Sequence, residues 1–278
     1  MNPFRILVVD PDPAAQQLLE SALPPPKWNL ESVQDDAAAL ARLRTAPYDV
    51  VVARIHPHGN NGLDLLHRVR EMRPGARVLV MTDGAAPDAV IGAIREKAFA
   101  CVSKPFSVCA VADLIERAVS APAWSDDIQV ISARPHWITL RVRCQAETAD
   151  RLVQFLREME MDLAPKQRED IAAAFRELLM NAIEHGGRYD PHKWVRVSAI
   201  RTARAIIYHI QDPGHGFSLE NLPHAAISNP PDAPVQHLEV RAEQGVRPGG
   251  FGILLTRNLV DELIYNEKGN EVLFIKYL

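Results

Sequence analysis

Three short runs of consecutive apolar residues constrain the fold of the N-terminal part of this chain more than any other feature. The apolar runs cover residues 6–9, 50–53 and 78–81. The segments between them have amphipathic helical patterns, at residues 14–23, 37–43 and 63–72. A strand that is apolar along its whole length is buried on both faces, as in a parallel sheet covered by helices. The alternation predicts an α/β domain over residues 1–121 with a doubly wound, five-stranded parallel sheet.

Four polar residues follow the predicted strands of this domain. Asp10, Arg54, Thr82 and Lys104 stand at or just after strand ends. In open parallel sheets the functional crevice lies outside the carboxyl ends of the strands. We therefore expect these four side chains to converge there.

This arrangement resembles the receiver domain of response regulators, which has a flavodoxin-like fold. The resemblance makes Asp10 a metal-binding acid, Thr82 the switch hydroxyl and Lys104 the site lysine. Two positions depart from the family pattern: the second acid is replaced by Pro11, and the phosphoacceptor position holds Arg54.

Arg54 changes what such a domain can do. An arginine cannot accept a phosphoryl group, and its charge repels Mg²⁺ while attracting Asp10. We predict a pseudo-receiver that is not phosphorylated at the usual site, with Lys104 in a structural ion pair. Rescue by Asp12 or His56 is the alternative, although neither falls at a strand end. We hypothesise a docking or dimerisation role for this domain.

A change of pattern separates this part from a second domain. Small and polar residues at 122–127 predict a linker, and residues 128–278 a second domain. Strands are expected at 128–131 and 138–144, followed by a helix at 146–163. In the second strand alternate residues face the core, namely Ile138, Leu140, Val142 and Cys144.

The pattern at residues 167–184 predicts a helix with a polar edge. Glu177 and Asn181 lie four residues apart on that edge, and His185 extends the line by four more. A carboxylate there can polarise an attacking hydroxyl, and an amide oxygen is a hard ligand for Mg²⁺. The alternative is a solvated helix face, since Glu and Asn are common on surfaces.

A glycine-containing segment follows the apolar run at 205–210. Asp212 comes directly after the predicted strand, with Gly214 and Gly216 close behind. An acid at this position can accept a hydrogen bond from an exocyclic amine, and glycines let the backbone approach a ligand. A simple hairpin turn is the alternative.

A second glycine segment opens a helix that we expect to run to about residue 263. Gly249, Gly250 and Gly252 stand at its start. Exposed backbone amides at a helix start, without side chains in the way, form a phosphate site. A glycine-rich helix start without a ligand is the alternative.

Together, the three segments resemble, over residues 128–278, the Bergerat-type (GHKL) ATPase fold. It is an α/β two-layer sandwich shared by gyrase, Hsp90, histidine kinases and mismatch-repair ATPases. Within this fold the chain is most similar to the anti-sigma-factor serine kinases. The features in common are the helix ending Asn-Ala-Ile-x-His-Gly and the Val260-Asp261-Glu262 sequence before a final strand pair.

The resemblance implies a role for each matched residue. Glu177 is the catalytic base, Asn181 the Mg²⁺ ligand and Asp212 the adenine reader, while residues 218–247 form a lid. The remaining ATP contacts fall to His185, Gly214, Gly216, Arg247, Gly249, Gly250 and Gly252. The sequence departs from the family at Asn270, where a threonine is frequent.

The implied activity is that of an ATP- and Mg²⁺-dependent protein-serine kinase. It phosphorylates a STAS-type anti-anti-sigma partner and, when free of it, sequesters a sigma factor. The alternative is an ATP-dependent partner-switching module without kinase activity. A hybrid histidine kinase is less favoured, because residues 120–165 predict strands and one helix instead of a dimerising helical hairpin.

The bulk composition excludes several other classes. A net charge of -4 without a basic stripe argues against nucleic-acid binding. No apolar run has the length of a membrane span, and the N-terminus has no signal-peptide pattern. The three cysteines have neither metal-ligand spacing nor an even count. We expect a cytoplasmic signalling protein.

Overall fold

The protein is described by a computed structural model that covers residues 3–55, 61–84, 87–121, 127–134, 136–217 and 251–278. The chain divides into two compact units. Unit 1 comprises Met1–Asp126 and Gln154–Asp162, and unit 2 comprises Asp127–Val153 and Leu163–Leu278. Because residues 122–126 are outside the described ranges, the predicted linker stays a prediction.

Unit 1 contains a five-stranded parallel sheet. Its strands are β1 (Phe4–Val9), β2 (Trp28–Val33), β3 (Val50–Ile55), β4 (Arg77–Asp83) and β5 (Ala100–Lys104). Its helices are α1 (Pro13–Ala22), α2 (Asp36–Thr45), α3 (Asn61–Met72), α4 (Pro87–Arg95) and α5 (Val108–Ser120). The strand order β2-β1-β3-β4-β5 confirms the doubly wound sheet, with a switch point between β1 and β3.

Local sequence explains where the first helices begin. Asp12 precedes α1 and accepts a hydrogen bond from the Ala14 N–H, and Pro13 fixes the first helical position. Asp35 caps α2 in the same way through the Ala38 N–H at 2.7 Å. Such caps satisfy backbone donors that have no partner within the helix. They hold each helix start close to the end of the preceding strand.

Unit 2 contains a six-stranded antiparallel sheet. Its strands are β6 (Ile128–Arg134), β7 (Trp137–Arg143), β8 (Trp194–Arg201), β9 (Ala205–Gln211), β10 (Glu262–Tyr265) and β11 (Glu271–Tyr277), in the order β10-β11-β9-β8-β7-β6. The helical segments that follow β7 are α6 (Ala146–Met159), α7 (Pro165–Asn181), a π-helical turn (Ala182–Gly187) and α8 (Gly252–Leu259). The last part of α6, from Gln154, belongs to unit 1.

Helix α7 covers one face of this sheet. Phe175 on α7 packs against Tyr208 on β9 with ring centroids 5.3 Å apart, and Tyr208 stacks on Phe274 at 5.0 Å. All three side chains are fully buried. The four residues predicted to face the core, Ile138, Leu140, Val142 and Cys144, are also buried. The second domain is thus an α/β unit, as predicted, and its sheet is antiparallel.

Three predicted helix boundaries differ from the structure. The helix expected at 146–163 ends at Met159. The α-helix expected to reach residue 184 ends at Asn181 and continues as the π-helical turn. The helix expected to reach about residue 263 ends at Leu259, because the following residues pair with β11. The apolar residues of β10 mimic the last turn of an amphipathic helix in sequence.

The edge strand β5 of unit 1 has partners for its outer backbone groups. The Ser103 N–H donates to Glu158 Oε2 at 2.8 Å, and the Gln154 amide donates to the Cys101 carbonyl at 3.4 Å. Unpaired edge groups can pair with the strands of other chains, and these side chains leave fewer such groups on β5.

Among the described helices, none combines the length and apolar character that a membrane span requires.

Candidate functional site

A cavity of about 780 Å³ in unit 2 brings together most of the predicted site residues. Its walls are the end of α7, the π-helical turn, the segment after β9, the start of α8 and the β10–β11 hairpin. The predicted residues that line it are Glu177, Asn181, His185, Asp212, Gly214, Gly216 and Gly252. Arg247, Gly249, Gly250 and the lid at 218–247 lie outside the described residues.

The last turns of α7 supply one wall. Glu177 and Asn181 are half-buried and lie one turn apart on the cavity side. His185 is exposed and belongs to the π-helical turn, which is wider than an α-helical turn. The turn places Gly186 against the Asp212 side chain. π-Helical turns occur frequently at functional sites.

Asp212 sits at the end of β9 and faces the cavity. Its N–H donates to the Asn270 carbonyl at 2.9 Å, which extends the β9–β11 pairing. Its Oδ1 accepts the Gly214 N–H at 2.6 Å. Burial raises the pKa of Asp212, and the Gly214 hydrogen bond opposes that shift. The bond to Gly214 fixes one carboxylate oxygen and leaves Oδ2 available to a ligand donor.

Glycines form the wall around Asp212. A Cβ added at Gly186 would stand 2.3 Å from Asp212 Oδ1, and one at Gly214 would stand 2.8 Å from the same atom. Gly216 has a φ of +82°, and a Cβ there would stand 1.8 Å from the Lys268 carbonyl oxygen. Side chains at these positions would displace the carboxylate or the hairpin. The wall is therefore built of backbone, which a flat ring can approach closely.

The start of α8 faces Glu177. A Cβ added at Gly252, the first residue of α8, would stand 2.8 Å from Glu177 Oε2. The N-cap residue Phe251 makes no side-chain capping hydrogen bond. The first N–H groups of a helix lack partners within it and favour negatively charged groups. The Glu177 carboxylate and the start of α8 are thus adjacent.

Sequence reasoning missed two aromatic residues of the cavity. Phe217 and Tyr265 line it and contact each other edge to face, with centroids 5.4 Å apart. Burial raises the pKa of Tyr265 to about 12, so the ring stays neutral and serves as an apolar wall. The position of Phe217 directly after the glycine segment could have indicated that it lies in the site. Tyr265 ends a short strand, and nothing in the sequence around it indicates a place in the cavity.

The strand ends of unit 1 hold a compact charge cluster. Lys104 Nζ lies 2.5 Å from Asp10 Oδ2 and 3.5 Å from Asp12 Oδ2. Arg54 donates to Asp83 Oδ2 from Nη2 at 2.6 Å and from Nε at 3.0 Å. The Asp10 side chain is fully buried. Two cations and three carboxylates therefore share the crevice.

The predicted attraction between Arg54 and Asp10 is only a secondary contact. Their nearest atoms are 3.8 Å apart, whereas Asp83 receives both short hydrogen bonds. The reason is that Asp83 is the last residue of the adjacent strand β4, while Asp10 already forms an ion pair with Lys104. The hydrogen bond to Asp83 also raises the pKa of Arg54.

Thr82 lies beside this cluster and is fully buried. Its hydroxyl is 3.0 Å from Ser103 Oγ and donates to the Gly84 carbonyl at 3.3 Å. Asp12, one proposed substitute acceptor, caps α1, and His56 lies outside the described residues. Within the described ranges, no group of three or more His, Cys, Asp or Glu side chains is arranged to hold a metal ion.

Comparison with protein-family models finds two matches in this chain. Residues 6–116 match the response regulator receiver domain. Residues 142–276 match the histidine kinase-like ATPase domain.

Similar individual proteins cover only part of the chain. A probable transcriptional regulatory protein, TcrX of Mycobacterium tuberculosis, is 34% identical over 107 residues, which is 38% of this chain and 46% of TcrX. The DNA-binding transcriptional regulator NtrC of Escherichia coli is 31% identical over 115 residues, 41% of this chain and 24% of NtrC. The chain thus spans less than half the length of these curated relatives.

A solved structure of a response regulator from Thermotoga maritima is also similar. It matches with a TM-score of 0.41 and 23% identity, covering 43% of this chain and 99% of that structure.

Proposed function

We propose that this chain, which joins a response regulator receiver domain to a histidine kinase-like ATPase domain, is a signalling protein-serine kinase. The pairing of these two domains fits a bacterial signalling regulator. The finer proposal is that ATP is the phosphoryl donor and a STAS-type anti-anti-sigma protein the acceptor. When free of that partner, the chain sequesters a sigma factor.

The position of Glu177, on α7 and next to the start of α8, supports this proposal most strongly. Helix-start N–H groups hold phosphate, and the neighbouring carboxylate can take a proton from a hydroxyl. In the transfer, the serine oxygen bonds to the γ-phosphorus, the bond from that phosphorus to the ADP oxygen breaks, and the serine proton passes to Glu177. Phosphoryl transfer depends mainly on positioning and charge stabilisation, which this cavity is built to supply.

Asp212 and the glycine wall fit the other end of ATP. The free Asp212 oxygen accepts a hydrogen bond from the adenine amine, and the ring lies against Gly186, Gly214 and Gly216. Phe217 and Tyr265 add apolar surface. The cavity volume of about 780 Å³ lies within the range of ligand pockets.

Asn181 is suited to Mg²⁺, because its amide oxygen is a hard ligand one helical turn from Glu177. When bound, the ion neutralises phosphate charge. Asn181 would hold the ion, and Glu177 would remain free to accept the serine proton.

A partner-switching module without kinase activity is the second candidate. Asn270 stands where the kinase family often has threonine, and its Oδ1 accepts a hydrogen bond from Asn266 at 3.0 Å. This bond engages the oxygen that adenine would otherwise contact, which favours weaker nucleotide binding. Transcriptional regulation, as named for TcrX and NtrC, is not proposed, since those matches cover 38% and 41% of this chain.

A phosphoryl-transfer assay separates the two candidates. The full chain is incubated with γ-labelled ATP and the STAS proteins of its own genome, and label on serine is measured. Glu177→Gln is expected to lower the transfer rate by about 100-fold or more, the usual contribution of general base catalysis, with ATP affinity largely retained. Glu169→Gln, an exposed glutamate earlier in α7, is the matched control.

The outcomes are distinct. Transfer by the wild type and the control, but not by Glu177→Gln, supports the kinase. ATP binding without transfer to any STAS protein supports the switching module. Equal transfer rates in wild type and Glu177→Gln would remove Glu177 from the role of base.

A further inference from the structure

Asn270 stands next to Asp212 in the wall of the unit 2 cavity. The β9–β11 ladder pairs Gln211 with Glu271, so the next pair along it is Asp212 with Asn270. The Asp212 N–H donates to the Asn270 carbonyl at 2.9 Å, and both residues line the cavity. Directly paired residues of antiparallel strands project side by side, with Cβ atoms about 4.5–5.5 Å apart. A carboxylate and an amide are therefore neighbours at this end of the cavity.

The Asn266 side chain is held in one orientation by the backbone of the β10–β11 hairpin. Its Oδ1 accepts the Asn270 N–H at 3.1 Å and the Glu271 N–H at 3.2 Å. Only the oxygen of the amide can accept these two bonds, because the amide nitrogen is a donor. The Gly269 N–H donates to the Asn266 carbonyl at 3.0 Å and closes the turn. The Nδ2 of Asn266 is therefore the atom that faces Asn270.

The fixed amide of Asn266 in turn orients the side chain of Asn270. Asn266 Nδ2 donates to Asn270 Oδ1 at 3.0 Å, so the oxygen of Asn270 is engaged. The Nδ2 of Asn270 is the other end of this amide, and within the described part of the chain no hydrogen bond engages it. Asn270 is half-buried. A half-buried donor in a cavity wall is stabilised by a ligand that brings an acceptor to it.

Asp212 and Asn270 thus present an acceptor and a donor side by side. Asp212 Oδ1 accepts the Gly214 N–H at 2.6 Å, which leaves Oδ2 as the acceptor for a ligand. The Watson–Crick edge of adenine has the complementary order, because its N6 amine donates and the adjacent ring nitrogen N1 accepts. A 6-oxopurine such as hypoxanthine has the opposite order, with O6 as the acceptor and N1–H as the donor.

We propose that Asn270 determines base specificity by donating from Nδ2 to N1 of adenine, and that Asn266 is the positioning residue that turns the amide this way. The inference rests on the proposed binding of ATP in this cavity, which the kinase and the switching module both require. Asp212 pairs with the amine alone, so N1 is read by the second side chain. A base with the donor and acceptor exchanged would face like groups at both positions.

Binding of ATP and of 1-deazaadenosine triphosphate to the full chain tests the contact with N1. The analogue keeps the N6 amine and the phosphates, but a C–H group replaces N1. In isothermal titration calorimetry with Mg²⁺, the wild type is expected to bind ATP about 3- to 10-fold more tightly than the analogue, the range for a hydrogen bond between neutral groups. Asn270→Ala is expected to bind the two nucleotides equally. Asn29→Ala, which changes an exposed asparagine on β2 of unit 1, is the matched control and should keep the wild-type preference.

Asn266→Asp tests the positioning role. The new carboxylate can still accept both backbone N–H groups, but it has an oxygen in place of Nδ2. The Asn270 amide is then expected to turn over, donate to this carboxylate and present Oδ1 to the base. The preference for ATP over the analogue should disappear, because Oδ1 and N1 are both acceptors. A purely structural effect would weaken the binding of both nucleotides equally and leave the preference unchanged.

Inosine triphosphate gives a second readout, since its base is hypoxanthine. The wild type is expected to bind it at least about 100-fold more weakly than ATP, because two polar groups of the site would be left without partners. Asn270→Ala should narrow this difference, since one of the two opposed contacts is then absent.

The possible results separate this inference from the proposed function. Absence of ATP binding by the wild type would overturn the ATP site and this inference with it. Binding of ATP and of the analogue with equal affinity would overturn the contact with Asn270 and leave the ATP site standing. A preference that survives Asn270→Ala would assign N1 to another group. One that survives Asn266→Asp would remove Asn266 from its positioning role.

Discussion

Burial of Asp212 affects both the stability of the fold and the proposed binding of adenine. Its pKa is raised from the ordinary value of 3.8, chiefly by burial. The folded state therefore holds the proton more tightly than the unfolded state does. The stability of the ligand-free fold falls as pH rises from the ordinary pKa to the raised one. Outside that window, this group causes no further change of stability with pH.

The ionised form of Asp212 is the stronger acceptor for an adenine amine. As pH falls through the raised pKa, ATP affinity is expected to fall more in the wild type than in Asp212→Asn, where this titration is absent. At neutral pH, Asp212→Asn is expected to weaken binding by about 10- to 100-fold, the range for a hydrogen bond to a charged group. Isothermal titration calorimetry across the acidic range measures both effects; identical pH profiles would contradict this role.

Gly186 is expected to tolerate no side chain. The methyl group of Gly186→Ala would stand 2.3 Å from Asp212 Oδ1, and this short carboxylate has little freedom to move away. We expect loss of ATP binding with the secondary structure retained. Gly75→Ala is the control, since a Cβ there meets nothing within 4 Å. Unchanged ATP affinity in Gly186→Ala would show that the carboxylate position is not critical.

Lys104 is expected to stabilise unit 1 through the buried Asp10. In Lys104→Met, the nearest remaining cation to Asp10 is Arg54 at 3.8 Å. We expect a loss of about 1.5–3 kcal/mol in the free energy of unfolding, the range for a hydrogen bond to a charged group. Lys27→Met breaks an ion pair whose side chains are 54% and 52% exposed and should cost at most about 1 kcal/mol. Equal losses in denaturant unfolding would argue against a buried pair.

At the scale of elements, the π-helical turn fits tightly against the end of β7. A Cβ at Gly187 would stand 2.3 Å from Cys144 Sγ and 2.7 Å from Cys144 Cβ. Overpacking of this kind costs about 1–3 kcal/mol, which we expect for Gly187→Ala in chemical denaturation. Cys144→Ala removes only the sulfur, so the double variant should lose less stability than the two single losses added together. Strict additivity would mean that the two residues do not share this space.

The sequence predicted elements best where one periodicity covers a whole element. The fully apolar runs of unit 1 and the alternation at Ile138, Leu140 and Val142 are each compatible with only one assignment, a strand. Boundaries failed where two patterns join, as at Leu259, because β10 continues the apolar spacing of α8. The π-helical turn was also missed, since side-chain spacing does not report a change in backbone hydrogen bonding.

The candidate site was predictable where backbone chemistry demands a residue type. Glycines mark close approach, which pointed to Gly214, Gly216 and Gly252. The ion pair of Arg54 with Asp10 was predicted, but the closer partner Asp83 was not, because choosing between two carboxylates requires the register of β3 and β4. Tyr265 carried no local signal, and its place in the cavity follows only from the β10–β11 pairing.

At the scale of the whole molecule, ATP should protect the two units unequally. A ligand that binds only the native state stabilises it by about 2.7 kcal/mol at a concentration one hundred times its dissociation constant. Since the cavity belongs to unit 2, amides of β8, β9 and α7 should exchange more slowly with ATP, while those of β1 and β3 should not change. Hydrogen exchange read by mass spectrometry measures this; equal slowing in both units would show that they unfold together.

The ion cluster at the strand ends of unit 1 bears on time as well as on position. A phosphorylated carboxylate is a mark that hydrolyses and has to be rewritten, so it can act as a clock. Ion pairs such as Lys104 with Asp10 and Arg54 with Asp83 form on folding and need no chemical modification. We therefore expect such a unit to keep no chemical record of past stimuli, so that its contribution depends on the number of copies present.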